Sequence, residues 1–329
     1  MQGLDCGCAA RVGGLRDGPK IIVPSRHRGT QGLRRAQPIV LLAAAAVITP
    51  ILNSSSAAQT WVNPNTGNWS VASNWVGGLA PSSAPSTQLV FNAANAESYT
   101  ASNDFASPFA LNALTFNNSG SGLITLDLNA LGFNGANPAI VQSGSGRAQV
   151  NNQLQLTTNT SYAGSGTGTV TLVGPMISVP AGTGTSGNSF INNSATARLL
   201  LQNGTTGGNL YGLRLNTGNT YVTAGSYTLS STQRGSDPFD SVNDGGFWSF
   251  IVGNSAGQTA NFTMTGGGLV GQNAMIGNVA GGSGVATFSG AGTSATFTGV
   301  QGRFGTNFGD GTINILNGAT VSARRGDCG

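Results

Sequence analysis

After residue 58, short apolar runs, none longer than six residues, recur along this chain. Leu89-Val90-Phe91, Leu114 to Phe116, Leu123 to Leu128, Gln153 to Leu156, Val170 to Val173, Leu199 to Leu201 and Tyr221-Val222 are the clearest. Clusters of Gly, Asn and Ser bound each run, and such clusters are turn signals between strands. After residue 58 no segment carries a sustained helical period with caps. The usual helix formers are scarce there in combination, since Lys is absent and Glu occurs once, at Glu97. The pattern predicts an all-β protein.

Near the C-terminus the pattern becomes a repeat. Three units open on an apolar residue and a glycine: Val252-Gly253, Ile276-Gly277 and Phe304-Gly305. Each continues with a second glycine (Gly257, Gly281, Gly309), then an apolar residue (Met264, Phe288, Leu316). A small polar residue (Thr265, Ser289, Asn317) and a third glycine (Gly266, Gly290, Gly318) close it. A fixed internal order with variation between units marks a stacked repeat in which each unit is one layer. A Greek-key sandwich has no reason to hold these classes at the same offsets. The prediction is a parallel β-solenoid with Met264, Phe288 and Leu316 above one another, and likewise Val252, Ile276 and Phe304. At about 24 residues per coil, residues 59–329 would form about eleven coils, a rod on the order of 50 Å long at about 4.8 Å per coil.

The segment Thr60 to Gly78 holds three of the four tryptophans, Trp61, Trp69 and Trp75. A solenoid needs a cover over its first coil, and a Trp-rich opening suits that task. The opening Trp61…Gly67-Asn68-Trp69…Asn74-Trp75-Val76-Gly77-Gly78…Pro81, followed by Leu89-Val90-Phe91-Asn92, resembles bacterial passenger-type proteins. These carry autotransporter-associated β-strand repeats or the related repeats of PEP-CTERM proteins. Ala113-Leu114-Thr115-Phe116-Asn117 and the units from Ile251-Val252-Gly253-Asn254 to Met264-Thr265-Gly266-Gly267 are in the same style. The resemblance covers about Trp61 to Ala323, strongly at both ends and weakly between. It implies a right-handed parallel β-helix on or outside a Gram-negative-type cell, and no defined enzymatic activity. Such proteins usually end in a membrane β-barrel or an apolar sorting helix. This chain ends Ala323-Arg324-Arg325-Gly326-Asp327-Cys328-Gly329, so a truncated C-terminus is expected.

Charge changes the picture only at the N-terminus. The chain carries a net +4, but seven of its fourteen Lys and Arg lie before Gln59, against only Asp5 and Asp17. From Gln59 onward seven Arg face eight carboxylates. A nucleic-acid binder needs a concentrated basic surface to displace phosphate counterions, and this body has none. The basic segment reads as a secretory leader: Arg34-Arg35, an apolar run from Ile39 to Ile48, Pro50, then Ser56-Ala57-Ala58 before a cleavage point. Its apolar run is about half the ~20 residues a membrane span needs, so no span is expected after processing. The long stretch ahead of it suggests a start codon downstream of Met1. Cys6 and Cys8 fall in the leader, leaving Cys328 without an intramolecular partner. The expected organisation is a leader at 1–58, a cap with the first coils at 59–110, and a β-solenoid over 111–329.

Candidate chemistry is thin. The one histidine, His27, and the one lysine, Lys20, both belong to the leader, which removes the commonest general base, metal ligand and Schiff-base nucleophile from the body. The acidic cluster is Asp237, Asp240 and Asp244, within RGSDPFDSVNDGGFW. Carboxylates so close together are the donors Ca²⁺ takes, or the paired acids of glycoside cleavage, although the spacing matches no EF-hand loop. Aromatic platforms for sugars are Trp61, Trp69 and Trp75, or Phe247 and Trp248; core packing is the competing role. No cofactor is expected. The sequence thus predicts an exported structural or adhesive β-helix at the extracellular or outer-membrane surface, with glycans or neighbouring cells as partners. The alternative is a polysaccharide-active enzyme or glycan-binding module on the same scaffold.

Overall fold

The computed structural model describes residues 58–94, 96–179, 187–205, 210–230, 249–298, 304–306 and 309–323. Its contacts divide the chain into Met1–Leu52 and Asn53–Gly329, and the described residues all belong to the second unit. That unit is a parallel β-solenoid. Its first sheet has ten strands, from Gln59–Trp61 to Phe304–Thr306, and its second has ten, from Gly67–Asn68 to Asp310–Leu316. A third face carries two four-stranded sheets, one from Phe109–Leu111 to Met176–Ser178 and one from Ser226–Thr228 to Thr320–Ala323. The coil containing Arg198–Leu201 separates them; there Gly204 and Leu210 make isolated parallel bridges to Ser226 and Leu229, and the Gly204 carbonyl accepts from the Met176 N–H. Among the described residues each long sheet thus has ten strands where about eleven coils were expected, because several coils are longer than the repeat suggested.

Residues one coil apart stack in register, and this explains why short apolar runs suffice. Leu126, Val150, Leu172, Leu201, Val222, Met264, Phe288 and Ile315 form one continuous row of the second sheet. All but the last are buried. The third face contributes Phe109, Leu131, Leu154 and Met176, and the first sheet Leu89, Leu114, Ile140 and Tyr162. Each strand has only two or three inward residues, so no single coil can bury its own apolar surface. All seven apolar runs fall on strands of these sheets.

Buried amides hold the corners. Asn118 donates to the carbonyl of Arg147 at 2.8 Å, Gln142 to Gly146 at 2.8 Å, and Asn103 to Asn129 at 3.0 Å. Each ties a side-chain amide to a backbone carbonyl at or beside a corner, and the Gly146 carbonyl also accepts from the Thr169 N–H at 3.0 Å.

The register corrects the repeat in its third unit. Met264 stacks on Phe288 and Val252 on Ile276, as expected. Phe288, however, stacks on Ile315 rather than Leu316, and Ile276 on Thr306 rather than Phe304. Leu316 pairs with outward Ser289 and is exposed. The glycines also shift: Gly290 and Gly318 take positive φ, whereas in the first unit Gly267 does so instead of Gly266.

The Trp-rich segment folds back on the first coil through two short 3-10 turns, Ala72–Asn74 and Val76–Gly78. Trp61 and Trp75 meet edge to face at 5.2 Å, and Trp69 and Trp75 at 6.0 Å. Phe91 of the second coil lies within 6.1 Å of all three rings. The tie to the next coil is polar: the Ser70 N–H and hydroxyl both donate to Asp104. Desolvation opposes the Asp104 charge, but these hydrogen bonds outweigh it and hold the carboxyl below its ordinary value. A carboxyl with a depressed native pKa stabilises above its unfolded pKa, and that contribution is lost as pH falls through the native one. Asp104→Asn should therefore lower stability at neutral pH, where the charged carboxyl contributes, and flatten the acid limb, the difference from the unmodified chain closing as pH falls below the usual aspartate range near about pH 4. Thermal unfolding across a pH series checks this; an acid limb identical to that of the unmodified chain would refute it.

Candidate functional site

The structure removes one set of sequence candidates. Trp61, Trp69 and Trp75 are no more than 1% exposed, so no sugar ring can stack on them. They are cap and core aromatics. The other aromatic pair, Phe247 and Trp248, and the acidic cluster Asp237, Asp240 and Asp244 lie outside the described residues. Among the described residues no group of three or more His, Cys, Asp and Glu side chains is placed to hold a metal ion. Glu97 accepts a hydrogen bond from the N–H of Ala94, and Asp104 is engaged by Ser70. Burial pushes the Tyr162 hydroxyl upward and that of Tyr227 up to about 12, so neither is a base near neutral pH.

What the scaffold does present is an ordered outward face on the second sheet. Alternation puts Thr171, Leu200, Tyr221, Thr263, Thr287 and Asn314 in one outward row across six adjacent strands. A second row runs Thr169, Arg198, Asn219 and Asn261. Neighbours within a row stand about 4.8 Å apart. Several are tied to each other: Asn261 Nδ2 donates to Asn219 Oδ1 at 3.1 Å, and Asn314 Nδ2 to Thr287 Oγ1 at 3.2 Å. The Arg198 guanidinium sits 4.0 Å from the centre of the Tyr221 ring, a cation–π contact between adjacent coils. These contacts fix rotamers that would otherwise be free.

Beside the first sheet runs an asparagine ladder that the sequence reading missed. Asn216 donates to Asn193 at 2.6 Å, Asn254 to Asn216 at 3.1 Å, and Asn278 to Asn254 at 2.7 Å. Amides stacked in this way each contribute about 0.5–1.5 kcal/mol net and hold the coils in register. The signal was present in two units, as Gly253-Asn254 and Gly277-Asn278. Its continuation to Asn216 and Asn193 spans unequal coils and has no fixed spacing. Among the described residues no helix is long and apolar enough to cross a membrane. Comparison with protein-family models, with curated proteins and with solved structures returned no match.

Proposed function

We propose that this chain is an exported structural or adhesive protein of the cell surface, without catalytic activity, and that its second sheet engages extracellular glycans or the surfaces of neighbouring cells. The observation that carries the reading is the outward face just described. Its hydroxyls and amides recur at the strand spacing, and the Arg198–Tyr221 pair sits among them. A polymer with regularly spaced hydroxyls would meet donors and acceptors at a matching interval, each contact weak and the sum additive along the chain. The body's lack of histidine and lysine, and its near balance of arginine and carboxylate, favour a neutral polar ligand over nucleic acid. The resemblance to passenger-type repeat proteins supports export.

The purified protein is expected to bind a subset of polysaccharides on a glycan array. Tyr221→Ala with Asn261→Ala should weaken that binding about tenfold, equivalent to about 1.4 kcal/mol, with the circular-dichroism spectrum unchanged. Asp237→Ala with Asp240→Ala should leave binding untouched; if those changes abolish a sugar-cleaving activity, the chain is an enzyme. Absence of binding to any glycan or cell surface would end the adhesive reading.

A further inference from the structure

The balance of arginine and carboxylate holds for the body as a whole, but the outward face of the second sheet departs from it. One outward row runs Leu123, Arg147, Thr169, Arg198, Asn219 and Asn261. Arg147 and Arg198 are exposed and have only the Thr169 strand between them, which sets their backbones about 10 Å apart, two strand spacings. Each guanidinium is held from one side. Arg147 Nη2 donates to the carbonyl of Ser121 at 2.9 Å, and Arg198 lies against the Tyr221 ring. A guanidinium carries several N–H donors in one plane, so both keep donors for a ligand. The carboxylates among the described residues stand elsewhere. Glu97 accepts from the Ala94 N–H, and Asp104 from Ser70. Asp127 lies four positions along its strand from Leu123, and Asp310 lies four strands beyond Arg198. Two cations at a fixed interval thus face outward with no counter-charge beside them among the described residues, and such a patch attracts anions.

We propose that this row is a binding site for an acidic polysaccharide, a polymer of uronic-acid sugars lying across the strands with its carboxylates on Arg147 and Arg198. The inference rests on the glycan reading of this face and narrows it to a charged polymer at these two coils. The planar fork of a guanidinium matches a carboxylate through two parallel hydrogen bonds, which gives both strength and orientation. In an extended, ribbon-like polymer alternate sugars present the same edge, so one carboxylate per two sugars meets one arginine per two strands. Thr169 between the arginines and Asn219 beyond them are placed for sugar hydroxyls, and Leu200 and Tyr221 of the neighbouring row offer apolar surface to a ring face. The number of cations selects against nucleic acid. Two arginines displace few counterions from a phosphate backbone, whereas carboxylates set two sugars apart need only one arginine each.

Calorimetric titration of the full-length chain with oligomers of β-1,4-linked mannuronic acid, and with the same oligomers after reduction of their carboxyls to alcohols, tests the assignment. The acidic oligomer should bind about a hundredfold more tightly than the reduced one, about tenfold for each arginine. Arg147→Gln and Arg198→Gln should each weaken the acidic oligomer about tenfold, and together about a hundredfold, because sites this far apart add. The reduced oligomer should be little affected by either change, which a general loss of fold would not allow; unchanged circular-dichroism spectra check the fold independently. Equal affinity for the two oligomers, or equal losses on both in the variants, overturns the proposal and leaves the glycan reading standing. Tighter binding of a sulfated oligomer also overturns it, since the site would then read charge density and not the carboxylate. Failure to bind any polysaccharide, charged or neutral, removes the glycan reading and this inference with it.

Discussion

Trp75→Ala is expected to lower the free energy of unfolding by about 3–5 kcal/mol, measured by denaturant titration of the protein. Trp75 is 1% exposed and packs on Trp61, Trp69 and Phe91 at 5.2, 6.0 and 5.8 Å. Its Nε1–H donates to the carbonyl of Trp69 at 2.8 Å, and its backbone forms the antiparallel bridge to Trp61. Truncation removes the transfer energy of a large ring, leaves a cavity among three others, and strips the Trp69 carbonyl of its partner. In a solenoid each coil leans only on its neighbours, so the loss should spread from this end. Hydrogen exchange should rise first in Gln59–Trp61 and Gln88–Ala93, with strands beyond Ala139 little changed at first. Uniform acceleration along the whole stack would mean that the segment is no local cap. A cost below about 1 kcal/mol would mean that it carries no core.

The legible part of the fold was the inward row. Leu126, Leu172 and Leu201 announce themselves because an apolar residue must recur wherever a strand faces the core. The illegible part was everything that depends on the length of chain between strands. Counting from Gly305 placed Leu316 above Phe288. The strand Asp310–Leu316 instead pairs with Ser283–Ser289, which brings Ile315 there and turns Leu316 outward. Register is set by pairing and pleat, and a one-residue slip reverses every side chain. The coil count failed for the same reason, since the passage from Leu213 to Phe250 is far longer than one repeat. Of the candidate sites, the tryptophans were visible as residues but their burial was not. The outward face of the second sheet escaped notice because Thr171, Tyr221 and Asn261 are separated by tens of residues and become neighbours only through stacking.

Gly218→Ala is expected to cost about 4 kcal/mol or more, against about 1–2 kcal/mol for Gly257→Ala. Both glycines have positive φ, +73° and +70°, so both substitutions carry the left-handed strain of an L-residue. They differ in what the new methyl group meets. At Gly257 nothing lies within 4 Å, whereas at Gly218 a Cβ would fall 1.9 Å from the carbonyl oxygen of Ser194 in the coil below. That atom is backbone and cannot swing aside, so the two coils must part locally. Gly218 opens the strand Gly218–Val222, which pairs with Arg198–Leu201 on one side and Thr259–Met264 on the other. Separating it strains the Arg198–Tyr221 contact and the Asn261–Asn219 hydrogen bond as well as the backbone ladder. Unfolding midpoints of the two variants, measured side by side, isolate the contact from the dihedral cost. Equal losses would show that coil spacing here tolerates a methyl group and that the stack is looser than its register implies. An excess of a few kcal/mol at Gly218 would show that backbone-to-backbone contact sets the spacing, which also keeps the outward polar rows at the strand interval.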